Sequence, residues 1–279
     1  MNRIFLGGAF ALALSVSGLM AQPKPKSQGE VDAIKALFNA QDPDARIAAA
    51  ENLLSKYADT EFKSIALFAE ADAYERKRDY EHTIIFGERT LEADPKNYQA
   101  MLLLAQNIAQ HTKEFDLDKD EKLAKADKYA NGAIEALKDA QKPNPNLTDD
   151  QWNGVKKEMV GQAHAALGMT AMVRKKPDVA ENEFKNAMDG ADKPDPGLLV
   201  RLGMAYSQDG KYDEAIAQFD KVMAMTDANP QYKQYAQAER VRAMQKKNPK
   251  PAAPAAPAAP AAPAAPPAAG TAPEPEKKP

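Results

Sequence analysis

Residues 199–230, LVRLGMAYSQDGKYDEAIAQFDKVMAMTDANP, decide how the chain is read. Leu202, Gly203 and Tyr206 recur at one- to four-residue steps that place them on one helical face. Gly210 and Tyr212 mark a turn, after which Ala215, Phe219 and Val222 resume the helical step. Helix, tight turn, helix folds back as a hairpin. Gly203 and Ala215 are small enough for the two helices to cross closely, and Tyr206 and Phe219 fill the space beside the crossing. One such hairpin cannot bury its whole apolar face, so it needs neighbours stacked upon it.

The neighbours are written upstream. Gly168, Ala180 and Phe184 precede Gly203, Ala215 and Phe219 by the same 35 positions, a coincidence of three residue kinds at one interval. This spacing resembles the tetratricopeptide repeat (TPR), whose signature runs W-x2-L-G-x2-Y, then A-x3-F, then P. Leu199 stands where the family has Trp, and Pro230 falls a few residues late. The resemblance implies an all-α, TPR-like α-solenoid of stacked helical hairpins.

Working outward, residues 64–97 form a clearer copy with Leu67, Ala71, Tyr74, Tyr80 and Pro95, departing from the pattern at Thr83 and Gly87. Residues 98–140 carry Met101, Leu104, Ala105 and Ile108 on one helix and Leu123, Ala126, Ala130 and Ala133 on the next, joined by the long segment HTKEFDLDKDEK. Residues 30–62 hold a degenerate pair: Val31, Ile34, Leu37 and Phe38 on one face, a break at Asp42-Pro43, then Ile47, Ala50, Leu53, Leu54 and Tyr57. Thr148 with Gln151 is a capping box, flanked by Leu147 and Trp152 as a hydrophobic staple, and opens a long helix reaching about Arg174. Its second half begins the copy at 161–195, and 196–230 follows. Tyr232, Tyr235, Ala238 and Val241 give a final helix, 231–247, one apolar side with which to cap the stack. The solenoid therefore runs over 29–247. No coiled coil is expected.

The two ends differ in kind. Residues 1–21, MNRIFLGGAFALALSVSGLMA, have a positive start, an apolar run and small Ala21, the layout of a secretory signal. Retention of that run as a membrane anchor is the alternative. Residues 22–28 read as a disordered linker. The mature protein would be periplasmic or secreted, with no membrane span after cleavage. Residues 248–279 are Ala/Pro-rich, without an aromatic or branched apolar side chain to bury. Proline at every third place favours extended polyproline II, and roughly 20 residues at about 3.1 Å each reach on the order of 60 Å. The tail reads as a spacer, with possible association to the cell envelope or to a proline-binding groove as the other readings.

Composition removes several functions. The chain has 279 residues and a net charge of -3, which does not suit a nucleic-acid grip. It has no cysteine, so disulfides, thiolate metal sites and a cysteine nucleophile are excluded. Asp116, Asp118 and Asp120 alternate as in a calcium loop, but Glu121 replaces the turn glycine and Asp127 the closing Glu, so a solvated acidic loop is expected. His82, His111 and His164 lie in three different units. No hydrolase elbow, metalloprotease, phosphate-loop or dinucleotide motif is present. No metal, cofactor or catalysis is expected.

What the resemblance implies is a scaffold that binds a protein or peptide ligand on its concave face. The inward positions of the first helix of each unit would be Phe68, Asp72 and Glu75; Leu102 and Gln106; Gln162, Ala165, Met169 and Met172; and Val200, Met204 and Ser207. The methionines offer adaptable apolar contact, or else pack between repeats. The Lys/Asn set with which some members hold a terminal carboxylate is absent. An envelope structural protein using the tail is the second reading, and an enzyme with an unrecognised site the third. N-terminal sequencing of exported protein is expected to begin near Gln22; material starting at Met1 would contradict the signal reading.

Overall fold

In the computed structural model, residues 23–189 and 193–249 are described. The signal-like segment and the Ala/Pro tail lie outside them. Helix starts follow from side chains able to accept the first free backbone N–H groups. Ser27 caps α1 (Gln28–Asn39), Asp42 caps α2 (Pro43–Lys56), and α3 spans Lys63–Arg76. Asp79 caps α4 (Tyr80–Ala93), Asn97 caps α5 (Tyr98–His111), and α6 spans Lys119–Lys138. Thr148 and Gln151 form both halves of the capping box of α7 (Asp149–Val173), while α8 (Pro177–Met188) begins on proline. Asp195 caps α9 (Pro196–Gln208), α10 spans Tyr212–Ala224, and Asn229 caps α11 (Pro230–Lys247).

The α3–α4, α7–α8 and α9–α10 turns share one geometry. The residue two beyond the last turn donates its N–H back five positions, Asp79 to Tyr74, Lys176 to Ala171 and Lys211 to Tyr206, at 2.9–3.0 Å. Between them Arg78, Lys175 and Gly210 sit at φ 61°, 58° and 78°. This is the Schellman ending, in which one left-handed residue reverses the chain. Gly210 adopts it freely, whereas Arg78 and Lys175 each carry about 1–2 kcal/mol of steric cost.

Each helix packs on its predecessor, and α5 also meets α3 and α7 while α11 meets α9. Odd helices thus form one layer and even helices the other, the arrangement of an α-solenoid. Packing within a hairpin depends on an aromatic seated over glycine. A Cβ on Gly203 would come 2.6 Å from the Phe219 ring, and one on Gly168 would come 2.5 Å from Phe184. Both rings are fully buried, each worth about 1.5–3 kcal/mol in apolar burial. In the α3–α4 hairpin the aromatic position is Gly87, and Leu104 from α5 fills the space instead. Thr83 keeps its buried hydroxyl satisfied on the Asp79 carbonyl at 2.6 Å.

Three sequence expectations are corrected. The buried side of α1 is Glu30, Ala33, Ile34 and Leu37, and Phe38 is exposed. Glu30 can be buried because its two oxygens accept the Lys26 N–H at 2.5 Å and the Thr60 hydroxyl at 2.6 Å. The segment before α1 is therefore fastened, with the Lys24 N–H on Glu61 and the Lys26 ammonium on Asp59, instead of hanging free. Of the apolar side foreseen for α11, Tyr232 is half-buried against the C-terminal cluster, but the rest faces outward. Tyr235 and Val241 are exposed, and the buried contacts are Ala236 and Ala243, whose small side chains let α11 approach α10 closely.

The glycine notches yield an opposed pair of substitutions. Gly203→Ala is expected to lower the unfolding free energy by about 1–3 kcal/mol, as overpacking does. Gly154→Ala, at a helical site with nothing within 4 Å, is expected to raise it by up to about 1 kcal/mol. Thermal melts of the two variants check both signs.

Candidate functional site

Charge is divided between the two layers. The 14 residues of α5 contain no Asp, Glu, Lys or Arg. Neither does α7 from Val160 to Val173, and α9 contains only Arg201. The even helices behind them carry the charge, for example Glu181, Glu183 and Lys185 on α8 and Asp213, Glu214, Asp220 and Lys221 on α10. These outer charges join neighbouring units: Lys211 to Glu181 at 2.9 Å, Lys125 to Glu88 at 3.4 Å and Arg240 to Asp220 at 2.6 Å. Exposed pairs of this kind contribute about 0–1 kcal/mol each. Keeping α5, α9 and the second half of α7 nearly free of charge is thus not a consequence of helix formation, since the even helices form as well with it.

The odd helices line up into a continuous uncharged lane. Gln106 on α5 donates to Gln162 on α7 at 3.2 Å. Met169 packs against both the central and the C-terminal apolar clusters, and Met172 and Met204 against the latter. The Tyr235 hydroxyl on α11 meets the Met204 sulfur at 3.6 Å. Gln162 is exposed and Gln106, Ala165, Met169, Met172 and Met204 are half-buried, so each methionine packs on one side and is open on the other. Exposed Gln99, Gln110 and Gln208 extend the same composition. They were not among the expected contact residues, and the absence of charge along three alternate helices is the signal that would have found them.

Other expected contact residues are placed differently. Leu102 and Val200 are buried at 5% and 4% exposure, because their helices press against the neighbouring units, and so they belong to the interior. Asp72 is buried too, with Arg46 from α2 at 3.8 Å. Phe68 and Glu75 on α3 are half-buried beside it. Ser207 is half-buried, and its hydroxyl oxygen is sealed without a hydrogen-bond partner.

The lane stops at α3, where charge enters the core. Glu70 takes the position in its hairpin that Leu202 takes in α9, and it is 1% exposed. Its carboxyl oxygen Oε2 has no hydrogen-bond partner. Burial first, and then the Glu51 carboxylate from α2, push its pKa up from 4.5 to about 7, against the opposing pull of Arg89 from α4.

The acidic loop is closed from within. The Lys122 ammonium lies 2.9 Å from Asp118 and 3.7 Å from Asp116, and holds the Asp118 carboxyl below its ordinary range. Lys175 pairs with Glu114 on the same loop, which presents Phe115 and Leu117 fully to solvent. The histidines stay apart: His82 on Asp79 at 2.8 Å, His111 against the Tyr80 ring at 4.3 Å, His164 on Glu183 at 2.7 Å. Among the described residues no group of His, Asp and Glu could hold a metal ion, and no helix is long and apolar enough to cross a membrane.

Stacked helical hairpins in two layers define an α-solenoid. The tetratricopeptide-repeat profile matches residues 196–229, which are the α9–α10 hairpin and its flanks. No curated protein matches the chain. Among solved structures, the chain is similar to a thermophilic TPR protein of Thermus thermophilus, at 17% identity, covering 77% of this chain and 98% of that one, with a TM-score of 0.49. It is also similar to a tetratricopeptide repeat protein from Parabacteroides merdae, at 16% identity, covering 80% and 95%, with a TM-score of 0.41. The chain thus contains a tetratricopeptide repeat at residues 196–229, and the spacing of its Gly, Ala and Phe recurs 35 residues upstream.

Glu70 gives the site a pH dependence with a definite sign. An acid whose folded-state pKa lies above its unfolded value weakens the fold once ionised. This contribution is therefore most favourable below about pH 4.5, is lost as pH rises to about 7, and is level above. Glu70→Leu is expected to abolish that decline and to raise stability by about 2 kcal/mol in the alkaline range. Denaturant titrations at about pH 5 and about pH 8 read both effects.

Proposed function

We propose that the protein is an exported, non-catalytic scaffold that holds a protein or peptide partner on the concave side, along α5, α7 and α9. The observation that carries this reading is the uncharged lane. A surface of Gln, Ala and Met desolvates at small cost, its amides offer both donors and acceptors to a bound backbone, and its methionines adapt to the contour of an apolar side chain. Export rests on the signal-like residues 1–21. A structural role in the cell envelope is the second reading, favoured by the length of the Ala/Pro tail; a tail truncation that kept partner binding but released the protein from the envelope would support it.

The test is a double substitution that leaves the stack intact. Met169→Asp with Met204→Asp places two carboxylates in the lane, where a bound partner would bury them unpaired. Partner capture is expected to fall by more than about tenfold with the helical circular dichroism unchanged. Undiminished capture of the same partners would exclude the lane as their site.

A further inference from the structure

The lane has properties that narrow its ligand further, and the chain itself supplies a segment that fits them. A charged ligand crossing α5, the Val160–Val173 half of α7 and α9 would lose hydration and meet, on those stretches, no Asp, Glu or Lys and only Arg201, with Glu239 and Arg242 confined to the α11 edge beside Tyr235, so the lane favours an uncharged occupant. Its exposed glutamines suit an occupant whose backbone carbonyls are not engaged in secondary structure. An extended polyproline II strand is such an occupant, because it makes no internal hydrogen bonds. Grooves that receive such strands place an aromatic side chain beside hydrogen-bonding groups, and here half-exposed Tyr235 stands against Met204 at the edge of the lane.

Residues 251–273, PAAPAAPAAPAAPAAPPAAGTAP, contain no charged side chain and have proline at nearly every third place. They follow α11 within a few residues, and α11 is the helix that borders the lane. The segment is long enough to cross it. Successive odd helices at about 10 Å spacing put α5 on the order of 30 Å from α11, and 23 residues of polyproline II reach about 70 Å.

We infer that residues 251–273 of the same chain occupy the uncharged lane across α9 and α7, as a tethered occupant that a partner must displace. The inference rests on the concave-face reading above. Tethering decides between this occupant and a second copy. A segment attached beside its site is present at an effective concentration on the order of millimolar, so an intrinsic affinity of that order fills the lane about half of the time. A second copy at micromolar concentration would need roughly a thousandfold tighter contact to do the same. An Ala/Pro strand, with little apolar area per residue, gives the weaker contact.

The absence of native cysteine allows a single probe. Full-length Ala262→Cys protein carrying a nitroxide is compared with its reduced, diamagnetic form by methionine methyl NMR. Severalfold greater broadening of Met169, Met172 and Met204 than of Met223 on α10 is expected. Uniform weak broadening, or none, overturns the inference. Mixing isotope-free spin-labelled chain with isotope-labelled unmodified chain separates the sources: broadening that persists undiminished in the mixture assigns the occupant to a second copy and also overturns it. Titration of unmodified full-length protein with the synthetic peptide of residues 251–270 distinguishes the two levels of reading. Shifts of the lane methyls by the peptide, without broadening by the tethered label, would leave the lane a peptide site and remove the tail as its resident.

Discussion

The C-terminal half of this stack depends on an aromatic ring lying where a neighbouring helix has no side chain. Phe219 over Gly203 and Phe184 over Gly168 leave no room for even one added carbon. That contact sets how closely the two helices of a hairpin approach. It thereby sets how far apart successive odd helices lie, and so whether their inner faces join. Tyr235 on α11 reaching Met204 on α9 is a consequence of that spacing. The Schellman turns at Arg78, Lys175 and Gly210 repeat the same reversal, and the left-handed cost at the first two is met by burial elsewhere in their hairpins.

The two layers divide the work of the fold. Even helices carry charge on the outside and take part in ion pairs between units, such as Lys211–Glu181 and, from α11, Arg240 with Asp220 on α10. Odd helices carry the apolar contacts inward and leave an amide- and thioether-lined surface. Since surface ion pairs contribute little to stability, solubility is the better account of the outer charge. A stack with both layers charged would be equally soluble, so solubility does not account for the uncharged stretches of α5, α7 and α9. At the N-terminal end the pattern changes: Glu30 is buried and fully bonded, while Glu70 is buried with a bare oxygen. The first is a clasp for the segment ahead of α1, the second a site of stored electrostatic cost.

Much of the fold was legible in the sequence because its causes are local. The capping box at Thr148, the prolines that open α2 and α8, and the interval between Gly168 and Gly203 are each readable from a few residues. The failures have a common physical source. Apolar periodicity locates a helical face but not what that face meets. Phe38, Tyr235 and Val241 fit the period and yet point outward, while Glu30 breaks it and is buried, because Thr60 and the Lys26 amide are brought to it by the fold. For the site, repeat position groups Gln162, Met169 and Met204 on one face, but could not tell that Leu102 and Val200 would be covered by adjacent units. The more telling feature, three alternate helices nearly without charge, was in plain view and is invisible to a search for motifs, since it consists of what is missing.

The central claim, that the uncharged odd-helix face is where a partner sits, is most directly measured by site-specific photo-crosslinking in intact cells. A photoreactive residue in place of Gln162 or Gln208 lies in the lane; one in place of Lys185 lies on the charged outer layer with the same helical scaffold beneath it. The account expects a discrete adduct from the two lane positions and none from the outer one. Adducts formed from the outer position alone would contradict it.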